Sequence, residues 1–178
     1  MKNKIIVFVL FALFLKTSAF TQTNTPIKKI HAYKQASIPG IKPAIPNDDE
    51  NKLQNSKPAS NNYWIYVETS RFSKVFITDI WITGTRLKVK SETITNLPVI
   101  KIDYLAVSGM DTIILVPATA NKVILISPKG FHTGSFSASK YLTDLVSKNE
   151  LVIGYLFKGK KYFKALKTII MLEPEARQ

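Results

Sequence analysis

The chain has 178 residues, 46% of them hydrophobic, with no cysteine and a net charge of +13 at pH 7. The absence of cysteine excludes disulfides, thiol nucleophiles, cysteine-ligated metals and lipid attachment at an N-terminal cysteine. A positive charge of this size favours anionic partners through steering and loose binding.

The first 21 residues have the pattern of a secretory signal peptide. Two lysines precede an apolar run over residues 5–15, and small residues follow at 17–19. The run is too short to cross a bilayer, which needs about 20 residues. We therefore expect residues 1–21 to be a signal peptide cleaved close to Ala19. The mature protein is then exported, either to the periplasm or outside the cell, as part of the cell envelope.

Residues 22–62 are predicted to be a disordered, proline-rich tether. The segment contains five prolines and many Asn, Gln, Ser and Lys residues, with few large apolar side chains. Such a composition buries too little surface to offset the entropy of ordering. His31 lies in this segment and His132 lies in the later domain, so we expect no fixed site that contains both histidines.

Residues 63–178 are predicted to form a single β-rich domain. The predicted strands, rich in Ile, Val, Thr, Tyr and Phe, are 63–69, 74–82, 86–94, 99–105, 112–116, 122–127, 151–157 and 161–171. Residues 139–148 form the predicted helix, with Ser139 as its N-cap.

Turn residues divide these strands into three predicted hairpins. Gly84 marks the turn of the first, residues 117–121 connect the second, and Gly159 marks the turn of the third. Residues 128–138 are predicted to be a loop, and residues 173–175 to end the fold. Short strands at this spacing indicate a mainly β fold, an antiparallel sandwich or partly open barrel with one short helix.

Alternation along residues 86–94 predicts which side of that strand faces the core. Leu87 and Val89 share one face, while Lys88 and Lys90 share the other. A period of two is typical of a sheet with one solvated face, so the lysines are expected to face solvent.

Four segments together resemble a set of small exported proteins from Bacteroidota. They are YWIYVET from Tyr63, IWITG at 80–84, LVPATANKVILI at 115–126 and YLFKGKKYFKALKTI at 155–169. These are strand and turn patterns. The resemblance implies an envelope location, and it carries no activity, cofactor or catalytic residue.

The loop at 130–137 is the candidate for an enzymatic site. It contains His132 and Ser135, the residue types of a serine hydrolase. No nucleophile-elbow or nucleotide-phosphate motif accompanies them, and neither histidine has metal-ligand spacing. We therefore expect no metal, no cofactor and no enzymatic activity, and keep a small secreted hydrolase as an alternative.

The third hairpin is the candidate for a binding site. Lysines and aromatic residues alternate there, the combination that anionic polymers and lipid headgroups favour. The candidate binding residues are Lys158, Lys160, Lys161, Tyr162 and Lys164. Lysines that only keep an edge strand soluble would give a similar pattern.

The expected function is that of an exported, envelope-associated binding or structural module. Its expected partner is an envelope protein or an anionic glycan or lipid surface, and nucleic acid is not an expected partner of an exported chain. Binding of a polyanion or lipid surface through the basic hairpin at 158–167 is the sharper alternative.

Overall fold

Strands dominate the part of the chain that the structure describes. A computed structural model describes residues 25–39, 60–103, 111–132 and 138–177. The strands in these ranges are β1 Ile27–Pro39, β2 Ser60–Thr69, β3 Val75–Ile82, β4 Thr85–Ile94, β5 Val99–Asp103, β6 Asp111–Val116, β7 Lys122–Phe131, β8 Leu151–Phe157, β9 Lys160–Leu166 and β10 Ile170–Arg177. The described helix is α1, Lys140–Ser147. No described helix is long and apolar enough to cross a membrane.

Two tight turns connect neighbouring strands of the sheet. Thr83 and Gly84 join β3 to β4 with φ values of 46° and 85°, and Lys158 and Gly159 join β8 to β9 with φ values of 50° and 73°. Two consecutive positive φ values are typical of the type I′ turn, whose twist matches that of paired strands. The first and third predicted hairpins are therefore confirmed, with turns at residues 83–84 and 158–159.

Eight strands form one curled sheet in the order β10-β1-β2-β7-β4-β3-β8-β9. The pairings are antiparallel except for the parallel pair of β1 and β10. The sheet curls into a half-barrel, and β5 and β6 form a separate two-stranded sheet. The prediction of a mainly β fold with one short helix is confirmed.

The main hydrophobic core fills the inner side of the curled sheet. Side chains from β1, β2, β3, β7 and β8 meet there, including the fully buried Ile65, Ile80, Ile126 and Ile153. Since the side chains of a strand alternate between faces, the neighbouring residues of each strand lie on the outer face.

Two elements cover parts of the outer face. The β5–β6 hairpin packs over a second cluster that includes Tyr66 and Val123. Helix α1 packs Leu142 against Trp81 and Val152. The Ser139 side chain accepts a hydrogen bond of 3.3 Å from the backbone N–H of Leu142, which confirms the predicted N-cap.

The predicted orientation of the strand at 86–94 is confirmed. In β4, Leu87 and Val89 are half-buried against the inner core, while Lys88 and Lys90 are exposed. The outer face of this strand is therefore solvated, as period-two alternation indicates.

The interpretation of residues 22–62 as a disordered tether is wrong for residues 27–39. These residues form β1, which pairs with β2 on one side and β10 on the other. Pro26 precedes the strand and Pro39 is its last residue, so neither proline interrupts the middle of the ladder. The sheet thus includes residues assigned to the tether, and β2 starts at Ser60. The signal peptide at 1–21 and residues 40–59 lie outside the described residues.

Four predicted boundaries and pairings near the C-terminal half are also wrong. The strands at 112–116 and 122–127 do not form a hairpin, since β6 pairs with β5 and β7 pairs with β2 and β4. Strand β7 continues to Phe131 into the predicted loop. The predicted strand at 161–171 is two strands, and residues 173–175 lie within β10.

Candidate surface-binding site

The β8–β9 hairpin does not gather its predicted binding residues on one surface. Lys158 and Lys160 are exposed at the turn. Tyr162 lies on the inner face, where its ring stacks on that of buried Tyr155 at 5.7 Å between centroids. Lys164 shares that face because of strand alternation. By the same alternation Lys160 lies on that face, whereas Lys161 lies opposite Leu156 on the outer face, so the candidate residues are divided between the two faces.

An exposed apolar groove lies beside this turn. Phe72, in the loop between β2 and β3, is 90% exposed, and Phe76 on β3 is 65% exposed. Leu156 of β8 lies directly opposite Phe76 in the sheet. These side chains line a groove of about 720 Å³ together with Phe157 and Lys158. Large exposed apolar side chains that cluster in this way mark contact surfaces more often than solitary ones do.

Basic side chains surround the groove. Lys74 and Lys158 line it directly, exposed Arg71 precedes Phe72 in the chain, and exposed Lys160 lies opposite Phe157 in the sheet. The Lys158 Nζ lies 5.4 Å from the centre of the Phe157 ring, a cation–π contact. The sequence has no Asp or Glu at 69–78 or 151–172. The end of the sheet that carries this groove, here called the tip, is therefore both apolar and positively charged.

Lys161, a predicted binding residue, instead pairs with a buried carboxylate. Its Nζ lies 3.0 Å from Asp79 Oδ2, and Asp79 is only 3% exposed. Arg86 donates from Nε and Nη2 to Asp79 Oδ1 at 3.1 and 2.6 Å. The Thr78 hydroxyl donates to Oδ2 at 2.9 Å. We call these four residues and His132 the Asp79 cluster.

Local geometry of β3 turns Asp79 outward. The register between β3 and β8 shifts between Ile77 and Asp79, so a β-bulge at Thr78 places Asp79 on the outer face. Gly154 is opposite Asp79, and a Cβ atom there would lie 3.3 Å from the Trp81 ring. The missing side chain leaves room for Trp81, over which the Arg86 guanidinium lies at 5.7 Å.

Hydrogen bonds keep the Asp79 carboxylate charged. Burial by itself would raise the pKa of Asp79, but the hydrogen bonds from Lys161, Arg86 and Thr78 outweigh burial and lower it. A buried carboxylate with two basic partners is a structural ion cluster that ties β3, β4 and β9 together.

The candidate hydrolase residues are only partly placed by the structure. His132 follows β7, and its Nε2 lies 3.1 Å from Asp79 Oδ1 without the alignment of a hydrogen bond. Ser135 lies outside the described residues. Among the described residues, no hydrogen bond joins His132 to a hydroxyl group, and Arg86 and Lys161 already bind the carboxylate that would orient a catalytic histidine. The arrangement therefore adds no support to a hydrolase.

His31, which was predicted to lie in the tether, instead belongs to β1 and to a buried polar network. Its Nε2 lies 2.7 Å from Glu68 Oε1, and both residues are buried. Asn121 and Thr119 donate to Glu68 Oε2 at 2.9 and 3.2 Å. Burial would raise the pKa of Glu68, but these contacts outweigh it and lower that pKa. The network attaches the loop before β7 to β1 and β2.

One signal in the sequence could have identified the Asp79 cluster. The two-residue turn at 83–84 places Trp81 opposite Arg86, and Asp79 is then diagonal to Arg86 on the same face. The contacts with Lys161 and His132 had no such local signal.

Among the described residues, no three His, Asp or Glu side chains group as metal ligands. Comparison of the chain with protein-family models, with curated proteins and with solved structures finds no match.

Proposed function

We propose that this protein is an exported module of the cell envelope that attaches to an anionic surface through the tip. The observation that carries the proposal is the exposed groove of Phe72, Phe76 and Leu156 with basic side chains around it. Two phenylalanines that are more than half exposed add little to the stability of the folded domain. Such residues are explained by a contact outside the domain.

The charge of the tip indicates which kind of surface it contacts. No described carboxylate lies within ion-pair distance of Lys74, Lys158 or Lys160. An anionic surface would supply the missing counter-charges, at about 1 kcal/mol per lysine near a lipid surface. The remaining positive charge of the chain would steer the domain toward the same surface.

The signal-peptide pattern and the resemblance to exported Bacteroidota proteins support the envelope location. Export predicts that the protein recovered from a bacterial host lacks residues up to about Ala19. Mass determination of the purified protein tests this part of the proposal. A chain that keeps residues 1–19 after export would contradict it.

Salt-dependent co-sedimentation with anionic vesicles or an acidic polysaccharide tests the attachment. We expect binding to fall steeply between about 0.05 M and about 0.5 M salt, because exposed charges are screened over this range. The double variant Lys158→Gln/Lys160→Gln should lose most of the binding. The variant Lys88→Gln/Lys129→Gln removes the same charge from exposed positions elsewhere, and it should retain most binding. Equal losses in the two variants would show that net charge, and not the tip, determines binding.

A further inference from the structure

The lining of the groove distinguishes between the kinds of anionic surface. Sites that recognise neutral sugars commonly use carboxylate or amide groups for the sugar hydroxyls, beside any stacked aromatic ring, and an acidic polysaccharide would leave the apolar lining of a groove unfilled. None of the residues lining this groove is Asp, Glu, Asn or Gln. Its apolar part is formed by Phe72, Phe76, Leu156 and Phe157, and its polar part mainly by the ammonium groups of Lys74 and Lys158. This chemistry fits acyl chains below anionic headgroups.

The two exposed phenylalanines are presented in the way that insertion requires. Phe72 lies in a short loop whose backbone is tied by a hydrogen bond of 2.9 Å from Ser73 N–H to the Ser70 carbonyl. Phe76 lies on β3, whose pairing with β8 holds the adjacent backbone. A constrained backbone lets apolar side chains enter an interface with little further loss of conformational entropy.

The basic side chains are long enough to remain at the headgroups while the rings go deeper. Arg71 and Lys74 flank Phe72, and Lys158 and Lys160 flank the neighbouring turn. Lysine and arginine side chains extend their apolar stems along buried surface and keep their charges in water. Apolar burial and headgroup attraction would thus act together, as they do for interfacial amphipathic segments.

We infer that the anionic surface is a phospholipid bilayer and that Phe72 and Phe76 enter its headgroup–acyl boundary. This inference rests on the proposed function and adds the partner and the depth of contact. The binding is peripheral and reversible, because two rings and a few lysines give far less affinity than a membrane-spanning segment. The strands β3 and β8 then point their tip ends toward the bilayer.

A fluorophore placed by cysteine chemistry measures the depth of this contact. The chain has no cysteine, so Ser73→Cys gives a single labelling site beside Phe72 that retains both phenylalanines. Thr85→Cys, exposed beyond the other end of β3, gives the control site. The labelled protein is purified, and its mass establishes where its chain starts. It is then mixed with one of two probes, vesicles of phosphatidylglycerol and phosphatidylcholine or vesicles of phosphatidylcholine alone.

We expect the label at position 73 to shift to shorter wavelength on phosphatidylglycerol vesicles and to be quenched by lipids that carry a quencher near the headgroups. The label at position 85 should show neither change. The variant Phe72→Ser/Phe76→Thr should weaken vesicle binding at least about tenfold, since burial of one phenylalanine is worth about that factor or more. Its circular dichroism and melting transition should match those of the unmodified protein.

The other outcomes separate this inference from the proposed function. Salt-sensitive vesicle binding without a change at position 73, and without an effect of the phenylalanine variant, would overturn insertion but leave electrostatic attachment. Binding to a soluble acidic polysaccharide and not to vesicles would overturn the bilayer as partner while supporting an anionic surface. Failure to bind either probe would overturn both the inference and the proposed function.

Discussion

The tip and the Asp79 cluster both contain lysines beside aromatic residues, but only in the cluster does a lysine pair with a carboxylate of the chain. In the cluster, Lys161 lies 3.0 Å from a buried carboxylate and 5.7 Å from the Phe163 ring. At the tip, Lys160 is the preceding residue in the chain, yet no described carboxylate pairs with it. A run of lysines and aromatics in a sequence therefore does not define a surface. Where a carboxylate of the chain pairs with the lysine, the result is a structural ion cluster. Where no carboxylate of the chain does so, the lysine is a candidate for binding an external anion.

Removal of the carboxylate should have the largest effect on stability. In Asp79→Asn, the basic groups of Arg86 and Lys161 lose the charge that balances them near a buried position. We expect the free energy of unfolding to fall by about 3 kcal/mol, as for other broken buried ion pairs. Urea unfolding followed by circular dichroism measures this loss.

Asp144→Asn is the matched control for that change, because Asp144 is exposed on α1. It should change stability by less than about 0.5 kcal/mol. Vesicle binding of folded Asp79→Asn should persist, because the tip is intact. A stable Asp79→Asn variant that no longer binds vesicles would reverse the roles that we assign to the two regions.

Acid should weaken the fold through the buried carboxylates. The pKa values of Asp79 and Glu68 are lower in the folded protein than their usual values. Groups of this kind contribute their full stabilisation above the unfolded pKa, at about pH 4, and lose it as pH falls through the lowered folded value. The free energy of unfolding should therefore fall steeply below about pH 4. In Asp79→Asn this fall should be shallower, and equal slopes would show that the Asp79 carboxylate is not preferentially stabilised by folding.

Two neighbouring lysines give the most direct comparison of the regions. Lys161→Gln should lower the free energy of unfolding by about 1 kcal/mol, a modest value because the Lys161 side chain is 38% exposed and solvent screens its pairing. Lys161 lies opposite Leu156, but its ammonium is held by Asp79, so the variant should leave vesicle binding nearly unchanged. Lys160→Gln should leave stability unchanged and weaken vesicle binding about fivefold. Parallel titrations of unfolding and binding measure both effects, and equal behaviour of the two variants would contradict the division.

Local signals explain which parts of this architecture could be predicted from the sequence. The turns at Gly84 and Gly159 and the cap at Ser139 depend on residues that adjoin them, so they were found. Strand β1 was missed because buried His31 and Gln35 interrupt the apolar alternation that identifies a strand. Their polar contacts are distant in sequence: His31 contacts Glu68 of β2, and Gln35 donates to the Glu173 carbonyl of β10. The pairing of β7 with β2 and β4 is likewise nonlocal. The predicted hairpin of residues 112–116 and 122–127 assumed instead that strands adjacent in sequence pair with each other.

The candidate site was predicted only in part for the same reason. The turn lysines Lys158 and Lys160 were identified from the hairpin pattern. Phe72 and Phe76 were not, because an exposed phenylalanine has the same sequence signature as a buried one. Only the fold shows that β3 places Phe76 opposite Leu156, on a part of the outer face that neither α1 nor the β5–β6 hairpin covers.

The smallest effect on stability is expected at the exposed phenylalanines themselves. Phe72→Ser and Phe76→Thr should each change the free energy of unfolding by less than about 0.5 kcal/mol, because side chains that are 90% and 65% exposed bury little apolar area in the fold. Thr is chosen at position 76 because it retains the β-branched shape that strands favour. Urea unfolding of each variant beside the unmodified protein measures the change. A loss of about 2 kcal/mol or more would show that these rings pack within the domain. The apolar residues of the tip would then stabilise the fold, as the Asp79 cluster does, and the distinction between the two regions would be lost.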